Sequence, residues 1–152
     1  GPLEAALKAQ AQALGVADRV RFLGWRTDRG ALLKTADICV LPSRWEPFGT
    51  VMIEAWAAGT PLVAAASQGP AALIRDGENG LLVPIDDVGA LTAAIQRLID
   101  TPALRQRLIE TGAADYTRNF TRETVTRRMI DVYKQMIAER AGNGTQKTKE
   151  LT

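Results

Sequence analysis

Four runs along the chain are apolar almost without interruption: VRFLG (20–24), ICVLPS (38–43), PLVAAA (61–66) and GLLVP (80–84). None alternates apolar with polar positions, as a strand with one wet face does. Continuous apolar strands are expected where helices cover both faces of a sheet. Helical spacing fills the intervals. Leu3 to Leu14 reads as a helix closed by Gly15. Asp28 can cap a helix through Ala36, with Leu32, Leu33 and Ala36 on one side. A helix from about Thr50 to Ala58 stops at Gly59, and a short helical turn near Ala71–Ile74 leads into the turn DGENG. Strands separated by helices predict a parallel sheet in a three-layered α/β architecture. Three helices close the chain: Val88–Ile99, a second with Thr101 as N-cap and Pro102 at its first position running to Tyr116, and a third over Arg122–Glu139. Val125, Met129, Val132, Tyr133, Met136 and Ile137 share one side of the last. Residues 1–140 read as one domain, and the polar tail AGNGTQKTKELT (141–152) as disordered.

Composition narrows the functions available. Of 152 residues, 46% are apolar, enough for a sizeable core, and the net charge of +2 gives no electrostatic case for a nucleic-acid partner. The one cysteine, Cys39, lies in an apolar run and reads as a reduced, buried small hydrophobe of a cytosolic protein. No apolar stretch is long enough to span a bilayer and no secretory leader is visible, so Asn119 and Asn143, which match the glycosylation pattern, are read as chance. Histidine is absent. That removes Ser-His and Cys-His pairs, histidine zinc sites and histidine general bases from this chain.

Candidate chemistry concentrates in SRWEPFGTVMIEA (43–55), where Glu46 and Glu54 stand with seven residues between them across a break at Pro47 and Gly49. In open parallel sheets ligands bind outside the carboxyl ends of the strands, and this segment leaves a strand and opens a helix there. The first N–H groups of that helix, near Thr50, Val51 and Met52, are expected to lack partners and to form an anion site suited to phosphate. Gly49 would let a ligand approach the backbone. A carboxylate beside a phosphate repels it, so Glu54, one turn in, is expected to face neutral hydroxyls such as a ribose diol. Glu46 would reach a second polyol on the other flank. Sugar, diphosphate and ribose, in that order, describe a nucleotide-diphosphate sugar.

These segments also carry a resemblance. RWEPFGTVMIEAWAAGTPLVAA, together with GPLEAALKAQAQALGVADRVRFLGW, ADICVLPS, DGENGLLVP and the helix pair ending in NFT, resembles the carboxyl-terminal domain of retaining GT-B glycosyltransferases of family 4, whose signature is E-x7-E. The resemblance spans residues 1–140. It implies a Rossmann-like three-layer parallel sheet and transfer of a sugar, with retained configuration, from a UDP- or GDP-linked donor to an acceptor hydroxyl. It implies neither a metal nor another cofactor. Glu46 would hold hydroxyls of the transferred sugar near the reacting carbon, as the catalytic candidate. Phe48, Gly49 and Thr50 would offer backbone N–H groups to sugar and phosphate, Val51 another to the distal phosphate, and Glu54 would hold the ribose. Gly24, Trp25 and Arg26 would border the nucleobase. Bland readings stand beside these: Trp25 as a half-buried aromatic, Phe48 as packing under the loop, Trp45 and Trp56 as packing, and Arg44 as a solvated charge.

The chain departs from the family's pattern in two places. Gln68 stands where most relatives have the first of two glycines, and Ala72 where they have an acid, which bears on the sugar end of the pocket. The match also begins in mid-domain. The first two strands of such a domain, with an Arg and a Lys that reach the diphosphate, and the amino-terminal domain that binds the acceptor glycan or lipid are not in this sequence. Those strands would lie between VRFLG and ICVLPS. The resemblance therefore implies a part of a cytoplasmic glycosyltransferase, one that works at the inner face of a membrane if the acceptor is a lipid. Alone it would be inactive, or completed by a homo-oligomer or swapped dimer. Competing readings are a nucleotide-sugar epimerase of similar fold and a non-catalytic nucleotide-sugar-binding or assembly module.

Overall fold

The computed structural model describes residues 1–149. Three strands, β1 (Cys39–Leu41), β2 (Leu62–Ala65) and β3 (Leu81–Val83), form a parallel sheet in the order β1-β2-β3. Cys39 pairs with Leu62, and Val63 with Leu81. Around the sheet lie α1 (Glu4–Ala13), α2 (Arg29–Thr35), α3 (Thr50–Ala58), α4 (Gln68–Leu73), α5 (Val88–Asp100), α6 (Pro102–Asn119) and α7 (Arg122–Lys149).

The continuous apolar pattern of the strands reflects two cores, one on each face. Leu62 and Ala64 of β2 point into a cluster with Cys39, Met52, Ala55, Trp56 and Ile74. Their neighbour Val63 points the other way, into a cluster with Leu81, Val83, Leu98, Leu104 and Leu108. Side chains alternate across a strand, so a strand buried on both faces needs an apolar residue at every position. Helix α6 serves both cores: Leu104 and Leu108 join the second, while Tyr116 packs on the first. Burial raises the pKa of the Cys39 thiol, which keeps it protonated and inert.

The expected helices form, with small differences at their ends. Gly59 closes α3 in the left-handed conformation at φ 72°, and Pro102 opens α6. Asp28 does not cap α2, because both of its carboxylate oxygens are taken by the Arg26 guanidinium. Thr101 likewise makes no side-chain cap. The helical backbone of α7 continues past Glu139 to Lys149, through much of the expected disordered tail, with no proline to stop it. The tail's last residues, 150–152, lie outside the described residues.

One expected element is absent. VRFLG is not a strand: Val20 has extended dihedrals, but residues 20–24 pair with nothing, and Val20, Phe22 and Leu23 are exposed. A strand exists through its ladder of hydrogen bonds, and no neighbouring strand stands beside this segment among the described residues.

Candidate functional site

The candidate corner lies at the carboxyl end of β1. Pro42 ends the strand, and the chain crosses an irregular loop to Gly49, the N-cap of α3, at φ 88° and ψ 53°. That conformation costs an L side chain energy, although a Cβ there would meet only ordinary contacts. Thr50 and Val51, the first residues of α3, are exposed, and their amides find no acceptor among the described residues. The third, Met52, expected to be free as well, is not: its N–H donates to the Gly49 carbonyl at 2.9 Å.

A second segment braces the loop from behind. The Gly69 N–H donates to the Glu46 carbonyl at 2.8 Å. A Cβ on Gly69 would fall 2.4 Å from the Phe48 carbonyl carbon and oxygen, so the two backbones touch. Ser67, just before, is buried and its hydroxyl has no partner among the described residues.

The two acids sit differently. One carboxylate oxygen of Glu46, Oε1, accepts from the N–H of Gly49 at 2.8 Å and of Phe48 at 3.2 Å. The amides that the sequence assigns to a ligand are thus held by the loop's own acid. Glu54, one turn into α3, pairs through Oε1 with Arg29 at 3.3 Å. Its other oxygen is buried and has no hydrogen-bond partner among the described residues. A buried acceptor without a donor is costly, so this oxygen favours a hydrogen-bond donor.

The structure therefore brings Glu46, Phe48, Gly49, Thr50 and Val51 into one corner, with Glu54 a turn along the same helix. It ties the start of α2 to that helix through Arg29. Gly24, Trp25 and Arg26 precede α2 but make no hydrogen bond or ion pair with the corner among the described residues. Gly24 and Trp25 border a groove with Leu3 and Leu7 of the amino-terminal segment. Trp25 is 92% exposed, not half-buried. Trp45 is 81% exposed rather than packed, because nothing covers the loop at that point. The Phe48 ring, half exposed, lines a groove with Phe120, Val125 and Met129 instead of lying under the loop. Arg44 is exposed but not free: its Nε meets Asp86 Oδ1 at 2.6 Å. Among the described residues, no group of three or more Cys, Asp or Glu side chains is placed to hold a metal ion.

Arg29, Ser67 and the contact of Gly69 with Phe48 escaped the sequence reading. Gly69 alone carried a signal, a glycine just beyond a buried strand.

Comparison with known proteins agrees with this architecture. The lipopolysaccharide core biosynthesis glycosyltransferase LpsE of Rhizobium meliloti (strain 1021) is 42% identical over 127 residues, which cover 84% of this chain and 36% of LpsE. A D-inositol 3-phosphate glycosyltransferase of Salinispora tropica is 41% identical over 131 residues, 85% of this chain and 27% of that protein. The chain thus spans about a third of the length of the curated relatives it matches. Among solved structures, sucrose-phosphate synthase from Thermosynechococcus elongatus superposes with a TM-score of 0.82 at 36% identity, covering 91% of this chain and 35% of that one. Anabaena HepE in complex with UDP superposes with a TM-score of 0.83 at 29% identity, covering 86% and 36%. The family description "Glycosyl transferases group 1" matches residues 1–115. With most of its length so matched, this chain belongs to the glycosyl transferase group 1 family.

Proposed function

We propose that this chain is the donor-binding part of a retaining, family 4 glycosyltransferase that moves a sugar from a UDP- or GDP-linked donor to an acceptor hydroxyl. One observation carries the reading: two unpartnered amides behind a left-handed glycine, with an unsatisfied carboxylate oxygen one turn along the same helix. The free amides of Thr50 and Val51, at the positive end of α3, hold the diphosphate together with those of Phe48 and Gly49, which Glu46 gives up when the donor arrives. Glu54 Oε2 accepts from a ribose hydroxyl, while Arg29 fixes the other oxygen. Trp25, with Gly24 and Arg26, offers an exposed ring to the base. Anabaena HepE, also solved with UDP-glucose, supports a nucleotide-sugar donor.

The reaction breaks the bond between the sugar's anomeric carbon and a phosphate oxygen and forms one to the acceptor oxygen, whose proton passes to the leaving diphosphate. Negative charge grows on the leaving diphosphate, where the α3 amides already point, so they stabilise the transition state without reorganising. Glu46 holds sugar hydroxyls close to the reacting carbon. Acceptor contacts, to a glycan or lipid, come from protein outside these 152 residues, and the reaction runs in the cytoplasm.

Calorimetric titration with UDP-glucose and GDP-mannose tests the reading. Glu54→Ala should weaken binding of the preferred donor by about 10- to 100-fold, the range for losing a hydrogen bond to a charged group. Unchanged affinity would sink the ribose assignment. The 152 residues alone should show no sugar transfer in a coupled nucleotide-release assay with glycan or lipid acceptors. Robust turnover would overturn the claim that acceptor binding lies outside them.

A further inference from the structure

Glu46 occupies the amides that a donor needs. The Glu46 carboxylate oxygen accepts from the N–H groups of Phe48 and Gly49, two convergent donors of the kind that suit an oxyanion. Glu46 makes no ion pair among the described residues, and the nearby cation Arg44 is spent on Asp86. The carboxylate is therefore held by the two amides alone. On the next turn of α3, Glu54 Oε2 also finds no hydrogen-bond partner among the described residues.

We propose that Glu46 is an internal stand-in for the donor and that its displacement lets the site discriminate a nucleotide sugar from a bare nucleoside diphosphate. The proposal rests on the donor-binding reading above and adds a property to it. In the ligand-free chain the carboxylate caps the amides. An arriving donor takes them over, and Glu46 must swing away. A sugar-bearing donor repays that loss, because its hydroxyls donate to the released carboxylate. A nucleoside diphosphate offers no such hydroxyls at that end. It displaces the carboxylate, receives nothing back, and meets a negative charge beside its own. The same residue that grips the sugar thus weakens the product, which favours its release after transfer. A ligand that binds only the uncapped state has its affinity reduced by the fraction of molecules uncapped, so deleting the cap strengthens binding of any ligand that made no other use of it.

The test compares UDP with UDP-glucose, and GDP with GDP-mannose, by calorimetry on the full polypeptide and its Glu46→Ala and Glu46→Gln variants. Glu46→Ala should bind the diphosphate about 3- to 10-fold tighter than the parent, the range expected when one partly exposed charge-assisted cap is removed. It should bind the nucleotide sugar no tighter, so the preference for sugar collapses. Glu46→Gln, which keeps an acceptor for the amides without the charge, should fall between. High salt should not erase the gain, as it would if charge repulsion alone were relieved. In an amide NMR spectrum, Phe48 and Gly49 should shift on Glu46→Ala and shift again on adding UDP.

If Glu46 merely shapes the loop, Glu46→Ala will lower both the melting temperature and the affinity for UDP, and the proposal is wrong. If diphosphate binding is intact in the parent and lost in Glu54→Ala but unimproved in Glu46→Ala, only this proposal falls. If no folded form binds either diphosphate, the donor-site reading falls and takes this one with it.

Discussion

Gly69→Ala should detach the acidic loop from its support and cost the protein both stability and nucleotide-sugar affinity. The added Cβ would lie 2.4 Å from the carbonyl carbon and oxygen of Phe48 and 2.6 Å from its Cα. Those are backbone atoms, so no side chain can rotate out of the way. Either α4 or the loop 46–49 must move, and the 2.8 Å bond from Gly69 N–H to the Glu46 carbonyl is lost with it. Forcing extra atoms into a packed contact costs about 1–3 kcal/mol or more. For a chain of this size that lowers the melting temperature by about 3–10 °C. Displacing the Phe48 and Gly49 amides by about 1 Å also misplaces the corner for a ligand, and errors of that size cost on the order of 100-fold in function. Thermal melts and donor titration on Gly69→Ala check both parts. A variant with parental melting and affinity would mean that the two backbones do not meet.

Trp56→Ala should have the largest effect on stability of any single change considered. Trp56 is 3% exposed and lies between α3 and α6, its ring against Gly112 and 6.1 Å from that of Phe120. Its indole N–H donates to the Asn79 carbonyl at 2.7 Å. Asn79 is also buried, and its side-chain amide donates to Asp115 at 2.8 Å. Asp115 in turn accepts from Arg75 at 2.8 Å. Removing the ring leaves a cavity and strips one buried carbonyl of its donor. Truncating a buried aromatic costs about 3–5 kcal/mol, which here corresponds to about 10 °C or more in melting temperature. Trp56→Phe keeps most of the packing and should lose only about 1–2 kcal/mol, the cost of the orphaned carbonyl. Trp45→Ala should change stability by less than about 0.5 kcal/mol, since that ring touches little. Urea unfolding of the three variants checks the order. A Trp45 variant as damaged as the Trp56 one would contradict the packing described.

What could be read in advance follows from which interactions are local. The start and stop of α3 were legible because Gly49 and Gly59 stand where left-handed backbone is needed. β2 and β3 were legible because burial on both faces makes every position apolar, and β1 because its run is apolar too, although Val40 is exposed. The same pattern misled at VRFLG, where apolar composition was present but a partner strand was not; pairing is a property of two segments, and a sequence window shows one. The network of Trp56, Asn79, Asp115 and Arg75 was invisible for a related reason. Asp115 on a helix reads as a solvated acid, and only the arrival of Asn79 and Arg75 from a distant turn makes it buried and satisfied. The placing of Glu46 in the loop before α3 and of Glu54 on α3 itself was also legible. Not found was that Glu46 would close on its own loop, because a hydrogen bond over two or three residues depends on a backbone turn that residue types alone do not fix.

The flank of the sheet beyond β1 is uncovered among the described residues. β1 is an outermost strand, Val40 on it is exposed, and nothing among the described residues pairs with its far side. Every second peptide group there has a donor and an acceptor facing outward, which makes it a template for any extended segment of compatible length. Handling this chain at high concentration will therefore favour growth of the sheet from molecule to molecule, and a lysine at position 40 is the simplest guard against it.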